Sequence, residues 1–144
     1  MKILLFREQF VDAICSGLKT QTRRIRSKGF KEGDLVHCKT RFLGPDFAVV
    51  RMTKDERRER LQDLSCEDIL SECIEAKFPG AVRFRDEILR TAFEALWDSI
   101  NQKPGTRWED NPVVSVYEFE LVEEWSPRMS HYRRLVVSRM GNRR

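Results

Sequence analysis

The run Gly17-Leu18-Lys19-Thr20-Gln21-Thr22-Arg23-Arg24 sets two hydroxyls and three cations directly after a glycine suited to closing a helix. Two kinds of chemistry use such a group. A threonine hydroxyl becomes a nucleophile when a base takes its proton, and a lysine amine can be that base when burial or neighbouring cations such as Arg23 and Arg24 lower its pKa. Lysine, arginine and threonine also hold a phosphate or a carboxylate with no bond made or broken. A basic turn facing water accounts for the same residues, since charge runs are usually solvated. Spacing alone leaves the three readings open.

The flanking chain supplies the support. Phe10, Val11, Ile14 and Leu18 fall on one helical face, so a helix is predicted from Glu8 to Gly17, with Ile3 to Phe6 before it as a buried strand. After Gly17 the chain turns extended, which puts Thr20, Thr22 and Arg24 on one side, Gln21 and Arg23 on the other, and Lys19 at the corner. Leu35 to Phe42 and Phe47 to Met52 read as a hairpin about Gly44-Pro45-Asp46, within which His37 packs or hydrogen-bonds. Thr53 to Leu64 is heavily charged and is either a strand leaving the sheet or a solvated extension. Ser65, with Asp68 three residues on, starts a helix whose apolar stripe is Ile69, Leu70, Cys73 and Ile74. Pro79-Gly80 precedes a longer helix striped by Ile88, Leu89, Ala92, Phe93, Leu96 and Ile100, with Trp97 bordering the stripe in the core. Asn101 to Pro112 is a polar loop carrying Lys103, Arg107 and Trp108, an aromatic between cations that either stacks a base or caps the fold. Val113 to Leu121 alternates, with Val113, Tyr117, Phe119 and Leu121 on one face.

At 144 residues and 40% hydrophobic content the chain has the material of one globular domain with a real core. No apolar run approaches the roughly 20 residues of a membrane span, and Met1 to Phe6 is too short for the core of a signal peptide, so a cytoplasmic protein without a membrane partner is expected. Cys15, Cys38, Cys66 and Cys73 lack Cys-x-x-Cys spacing and sit in apolar patterns, which favours buried thiols. With His37 and His131 the only histidines and no acidic cluster, neither a metal centre nor a cofactor is expected. Charge is uneven: residues 1–61 carry 15 basic against 8 acidic side chains, residues 62–125 carry 6 against 15, and residues 126–144 carry 6 against none. A polyanion should therefore meet the first third and the tail. The expected organisation is one domain over residues 1–125 followed by a basic arm over residues 126–144.

The motif Gly17-x-Lys19-Thr20-x-Thr22-x-Arg24 resembles the signature of the ASCH domain family, a branch of the PUA-like superfamily. Ile3-Leu4-Leu5-Phe6, Lys31-Glu32-Gly33-Asp34-Leu35-Val36, Leu61-Gln62-Asp63-Leu64-Ser65 and the Val113 to Leu121 strand follow in the family's order. The segments Trp97 to Asn101 and Trp108 to Pro112 are similar to longer, phage-type members. This resemblance implies an α+β fold: a PUA-like β-barrel of mixed and antiparallel strands, flanked by helices, with a cleft for RNA or a nucleobase beside the signature. One branch of the family resembles amidohydrolases of N4-acetylcytidine. On that pattern Lys19 is the proton acceptor, Thr22 the nucleophile and Glu72 the proton donor, while Thr20, Arg23, Arg24, Arg41, Lys103, Arg107 and Trp108 are expected to contact substrate or RNA. Other members resemble ribonucleases, and others only bind. This chain is longer than the amidohydrolase branch by a helix and the Trp97 to Pro112 loop, which bears on the substrate more than on the pocket. The expectation is thus a hydrolase of an acylated cytidine-type nucleoside, with an RNA-binding module or a ribonuclease of single-stranded RNA as alternatives.

Overall fold

Strand β6, Val113–Glu124, is the element on which the others assemble in the computed structural model, which describes residues 1–124. Its run of β-branched and aromatic residues suits a pleated surface packed on both sides, and Val114, Val116, Tyr117, Phe119 and Leu121 are all buried. Around it lie β1 (Ile3–Leu5), β2 (Gln21–Arg24), β3 (Leu35–Lys39), β4 (Asp46–Met52) and β5 (Arg57–Arg60). The sheet order is β1-β3-β4-β6-β2, and β5 pairs with β6 off that path. β1 runs parallel to β3, and every other pairing is antiparallel. The sheet curls into a half-barrel, and with its helices the fold is α+β and PUA-like.

Register matters most where β2 meets β6. Thr22 stands opposite Tyr117 and Arg23 opposite Val116, the residue that Arg57 of β5 also faces. Among the described residues β6 is therefore the one strand with which the signature strand pairs.

Among the described residues, three α-helices cover the sheet. α1 (Val11–Cys15) is shorter than its apolar spacing suggests, because Glu8–Phe10 forms a 3-10 turn and Leu18 lies past the end, exposed. Gly17 closes it with φ +78, as the sequence indicated. α2 (Cys66–Ser71) opens on a capping box: Ser65 Oγ accepts from the Asp68 amide at 3.0 Å, and Asp68 Oδ2 accepts from the Ser65 amide at 2.8 Å. α3 (Asp86–Ile100) buries Leu89, Ala92, Phe93, Leu96 and Trp97.

Several expectations are corrected. Ile88 is 47% exposed and Ile100 37%, so the apolar stripe of α3 is narrower than its spacing implies. Leu70 is also exposed on α2, and Val113 is exposed at the start of β6. β3 ends at Lys39 because the chain turns at Arg41, whose carbonyl accepts from the Gly44 amide at 3.0 Å, leaving Phe42 and Leu43 in solvent. The charged stretch after Thr53 joins the sheet as β5 and a 3-10 turn, Leu61–Asp63. His37 does hydrogen-bond, through Nδ1 to Asp46 Oδ2 at 2.6 Å. No helix among the described residues is long and apolar enough to cross a membrane. The basic arm expected over residues 126–144 lies outside the described residues.

Candidate active site

Local geometry drives Lys19 inward. With Gly17 left-handed, the amides of Leu18 and Lys19 both donate to the Ala13 carbonyl, at 2.9 and 3.0 Å, and the chain reverses so that the lysine side chain is buried. Its Nζ donates to the Gln21 carbonyl at 2.9 Å, the Glu72 carbonyl at 2.8 Å and Glu72 Oε1 at 3.2 Å, and lies 4.8 Å from the centre of the Phe10 ring. Glu72 caps the C-terminus of α2 and is followed by Cys73, a non-glycine residue at φ 60. That left-handed turn costs about 1–2 kcal/mol and ends the helix with the Glu72 carboxylate against β2.

Arg23 lies on the other face of β2, its side chain fully buried. It binds Glu72 Oε2 at 2.9 Å, Glu59 Oε1 at 2.8 Å and Asp68 Oδ2 at 3.3 Å, and also donates to Gln21 Oε1. Gln21 Nε2 reaches Asp68 and Glu118, both at 3.2 Å. The network ties α2, β2, β5 and β6 together. Buried charges survive in such a place because each is paired, and removing one partner strands the other.

Thr22 and Arg24 share the opposite side, as alternation requires. Thr22 Oγ1 accepts from Arg24 Nε at 3.4 Å, and the guanidinium lies 4.8 Å from the centre of the Phe6 ring. Thr22 makes no hydrogen bond to Lys19 or Glu72 among the described residues. All three nevertheless line one cleft of about 300 Å³, whose apolar walls are Phe6 and Phe10 on one side and Phe93, Leu96 and Trp97 of α3 on the other. Such a space, aromatic-walled with a few convergent polar groups, has the form of a small-molecule site.

Burial pushes the Lys19 amine below its ordinary pKa, Glu72 partly restores it, and Arg24 pushes it down again. The three acceptors around Nζ hold the ammonium in the resting cleft, while lost hydration makes its proton easier to remove. Two of the thiols are kept protonated by contrast: burial raises Cys73, and raises Cys38 to about 12.

The structure thus brings Lys19, Thr22, Glu72, Arg23 and Arg24 to one cleft. It does not bring Thr20, Arg41, Lys103 or Arg107 there. Thr20 is exposed, its amide donating to the Ser71 carbonyl at 3.0 Å; Arg41 is in the β3–β4 turn; Lys103 and Arg107 are in the loop after α3. Trp108 is half-buried, packed edge-on to Phe93 with Arg90 over its ring, so it props α3 and does not line the cleft. Sequence reasoning missed the aromatic walls, Asn101, Glu59, Asp68, Arg26 and Lys28. The last two extend the basic run after Arg24 and were within its reach; the others are assembled by packing. No group of three metal-ligating side chains occurs among the described residues.

Two of the solved structures that share this architecture are similar to the chain over most of its length. One is a protein from Enterococcus faecalis V583 described under the family model DUF984, with a TM-score of 0.59, 12% identity, and 87% of this chain and 82% of that one covered. The other is an ASCH domain from Lactobacillus crispatus JV V101, with a TM-score of 0.52, 14% identity, and 83% and 78% covered. The chain has the ASCH-domain fold. No family model matches the sequence, and no curated protein does.

Proposed function

We propose that the protein hydrolyses an acylated cytidine-type nucleoside, with Thr22 as nucleophile and Lys19 as base. The observation that carries this reading is that Thr22 and Lys19 line one aromatic-walled cleft, the amine held there by Glu72. The base lies against the aromatic walls, with its acyl carbonyl at Thr22. Lys19, having lost a proton, takes the Thr22 proton as Oγ bonds to the carbonyl carbon. Negative charge on the carbonyl oxygen develops beside the Arg24 guanidinium, already in contact with Thr22 Oγ1. Collapse breaks the C–N bond, and the proton on Lys19 passes to the departing amine. Water, deprotonated by the same lysine, then releases the acyl group from Thr22 as a carboxylic acid, and the hydroxyl regains its proton. Glu72, gripped by both Lys19 and Arg23, orients the amine in this scheme and is poorly set to donate a proton itself.

A screen of N4-acylated cytidines beside labelled single-stranded RNA tests the proposal. Carboxylic acid release by the native protein, lost in Thr22→Val, is expected; a folded Thr22→Val protein turning over at the native rate overturns it. A second reading, an RNA-binding module without chemistry, is favoured by the absence of a Thr22–Lys19 hydrogen bond among the described residues. It calls for RNA binding that is indifferent to Thr22→Val and no acid release from any acyl nucleoside. Cleavage of the labelled RNA would instead point to a ribonuclease.

A further inference from the structure

The cleft holds more positive charge than this chemistry uses. Lys19 and Arg23 are matched by Glu72, Glu59 and Asp68. Arg24 on the inner wall, and Arg7, Arg26 and Lys28 farther out, line the same cleft, yet none forms an ion pair with a carboxylate among the described residues. Residues 125–144 contain no Asp or Glu, so the rest of the chain supplies no side-chain counter-charge.

The loop bearing Arg26 and Lys28 is also fixed in place. Glu56 accepts from the Lys28 amide at 3.1 Å, the Gly29 amide at 3.0 Å, Ser27 Oγ and the Tyr117 hydroxyl. The Tyr117 oxygen in turn accepts from the Lys28 amide at 2.7 Å. Tyr117 belongs to β6, so the loop is pinned to the central strand. Exposed cations on a loose loop lose most of their attraction to the entropy of ordering; here the backbone beneath them is already ordered.

We infer that the outer cleft is a phosphate subsite, and that the ligand is a nucleotide whose base meets the aromatic walls while its phosphate is held by Arg7, Arg26 and Lys28. Three cations from two segments, Arg7 after β1 and Arg26 with Lys28 after β2, suit a group that presents several oxygens better than a single carboxylate. This inference rests on the reading of the cleft as a nucleoside site.

Two measurements test it separately. In calorimetric titrations at low salt, cytidine 5′-monophosphate should bind about tenfold or more tightly than cytidine, as expected for one or two charge-assisted hydrogen bonds. That ratio should fall toward one in an Arg26→Ala/Lys28→Ala double variant; equal binding of the two ligands by the native protein overturns the inference. Cytidylyl dinucleotide serves as the diester arm: a gain equal to that of the monophosphate marks a nucleotide unit within a strand, and a smaller gain a free mononucleotide. The second measurement is a titration with inorganic phosphate followed by NMR at the Lys28 and Gly29 amides, which needs no nucleoside. Shifts that vanish in the double variant support the subsite. Shifts absent in the native protein, or unchanged in the variant, overturn it. Phosphate shifts without cytidine binding would strike the nucleoside reading alone.

Discussion

Lys19 and Thr22 look equivalent in the motif but should behave differently when replaced. Lys19 is buried and makes an ion pair with Glu72, so Lys19→Ala leaves a carboxylate under-compensated inside the protein, a loss of about 3–5 kcal/mol for a buried pair. Thr22 makes one long hydrogen bond, and Thr22→Val keeps its shape. The expected outcome is a lowered melting temperature for Lys19→Ala and little change for Thr22→Val, read by thermal denaturation; loss of acid release in the valine variant is then attributable to the missing hydroxyl. The pH profile follows from the direction of the Lys19 shift. Because burial depresses its pKa, the neutral amine accumulates, and turnover rises, at lower pH than for a free lysine. Glu56 makes an independent prediction. Its carboxyl is held down to about 2, from an ordinary 4.5, against the opposing effect of burial by the hydrogen bonds of Ser27, Tyr117, Gly29 and Lys28. A depressed folded pKa stabilises above the unfolded value, so this contribution is full above pH 4.5 and is lost as pH falls toward about 2. Glu56→Gln should lower the melting temperature at pH 7 and narrow its difference from the native protein as the pH is lowered through that window.

The elements show where local sequence suffices and where it does not. Gly17 and Ser65 mark helix ends through interactions spanning only a few residues, and both were legible. The partners of Arg23 were not: Glu59 and Glu72 lie 36 and 49 residues away, and nothing in the spacing brings them to one side chain. Glu72 stood out only through the family resemblance, since in isolation it reads as an ordinary acid at the end of a short helix. α3 makes the same point in reverse. Its periodicity was evident, yet the width of its buried face depends on what packs opposite, and Ile88 falls outside it. Replacing Phe93, which is buried and lines the cleft, should cost about 3–5 kcal/mol as Phe93→Ala. Ile88→Ala should stay within about 0.5 kcal/mol. Urea denaturation of the two variants checks the contrast, and comparable losses would contradict the packing of α3.

For the whole molecule, the acidic balance of residues 62–125 lies in sequence between two basic stretches, so a polyanion is expected to favour the first third and the tail. The six arginines of residues 126–144 are proposed to bind phosphates without regard to base sequence. A chain ending at Trp125 should keep its melting temperature and its small-nucleoside turnover while RNA affinity drops. The slope of log affinity against log salt should then flatten by about 0.7 for each phosphate of a single strand that the shortened chain no longer neutralises. An unchanged slope, or marked destabilisation, would show that these residues serve another purpose.

The dependence of β2 on β6 has a consequence during synthesis. Gln21 and Glu118, paired across those strands, are 97 residues apart, so at about 5–20 residues per second the signature strand waits roughly 5–20 seconds for its partner to be translated. For that interval Thr22 and Arg23 have no sheet to join, and the cleft wall they form is among the last surfaces a ribosome-bound chain completes. Pulse proteolysis of stalled nascent chains should find the segment around Arg24 cleavable until β6 has emerged, and protected soon afterwards.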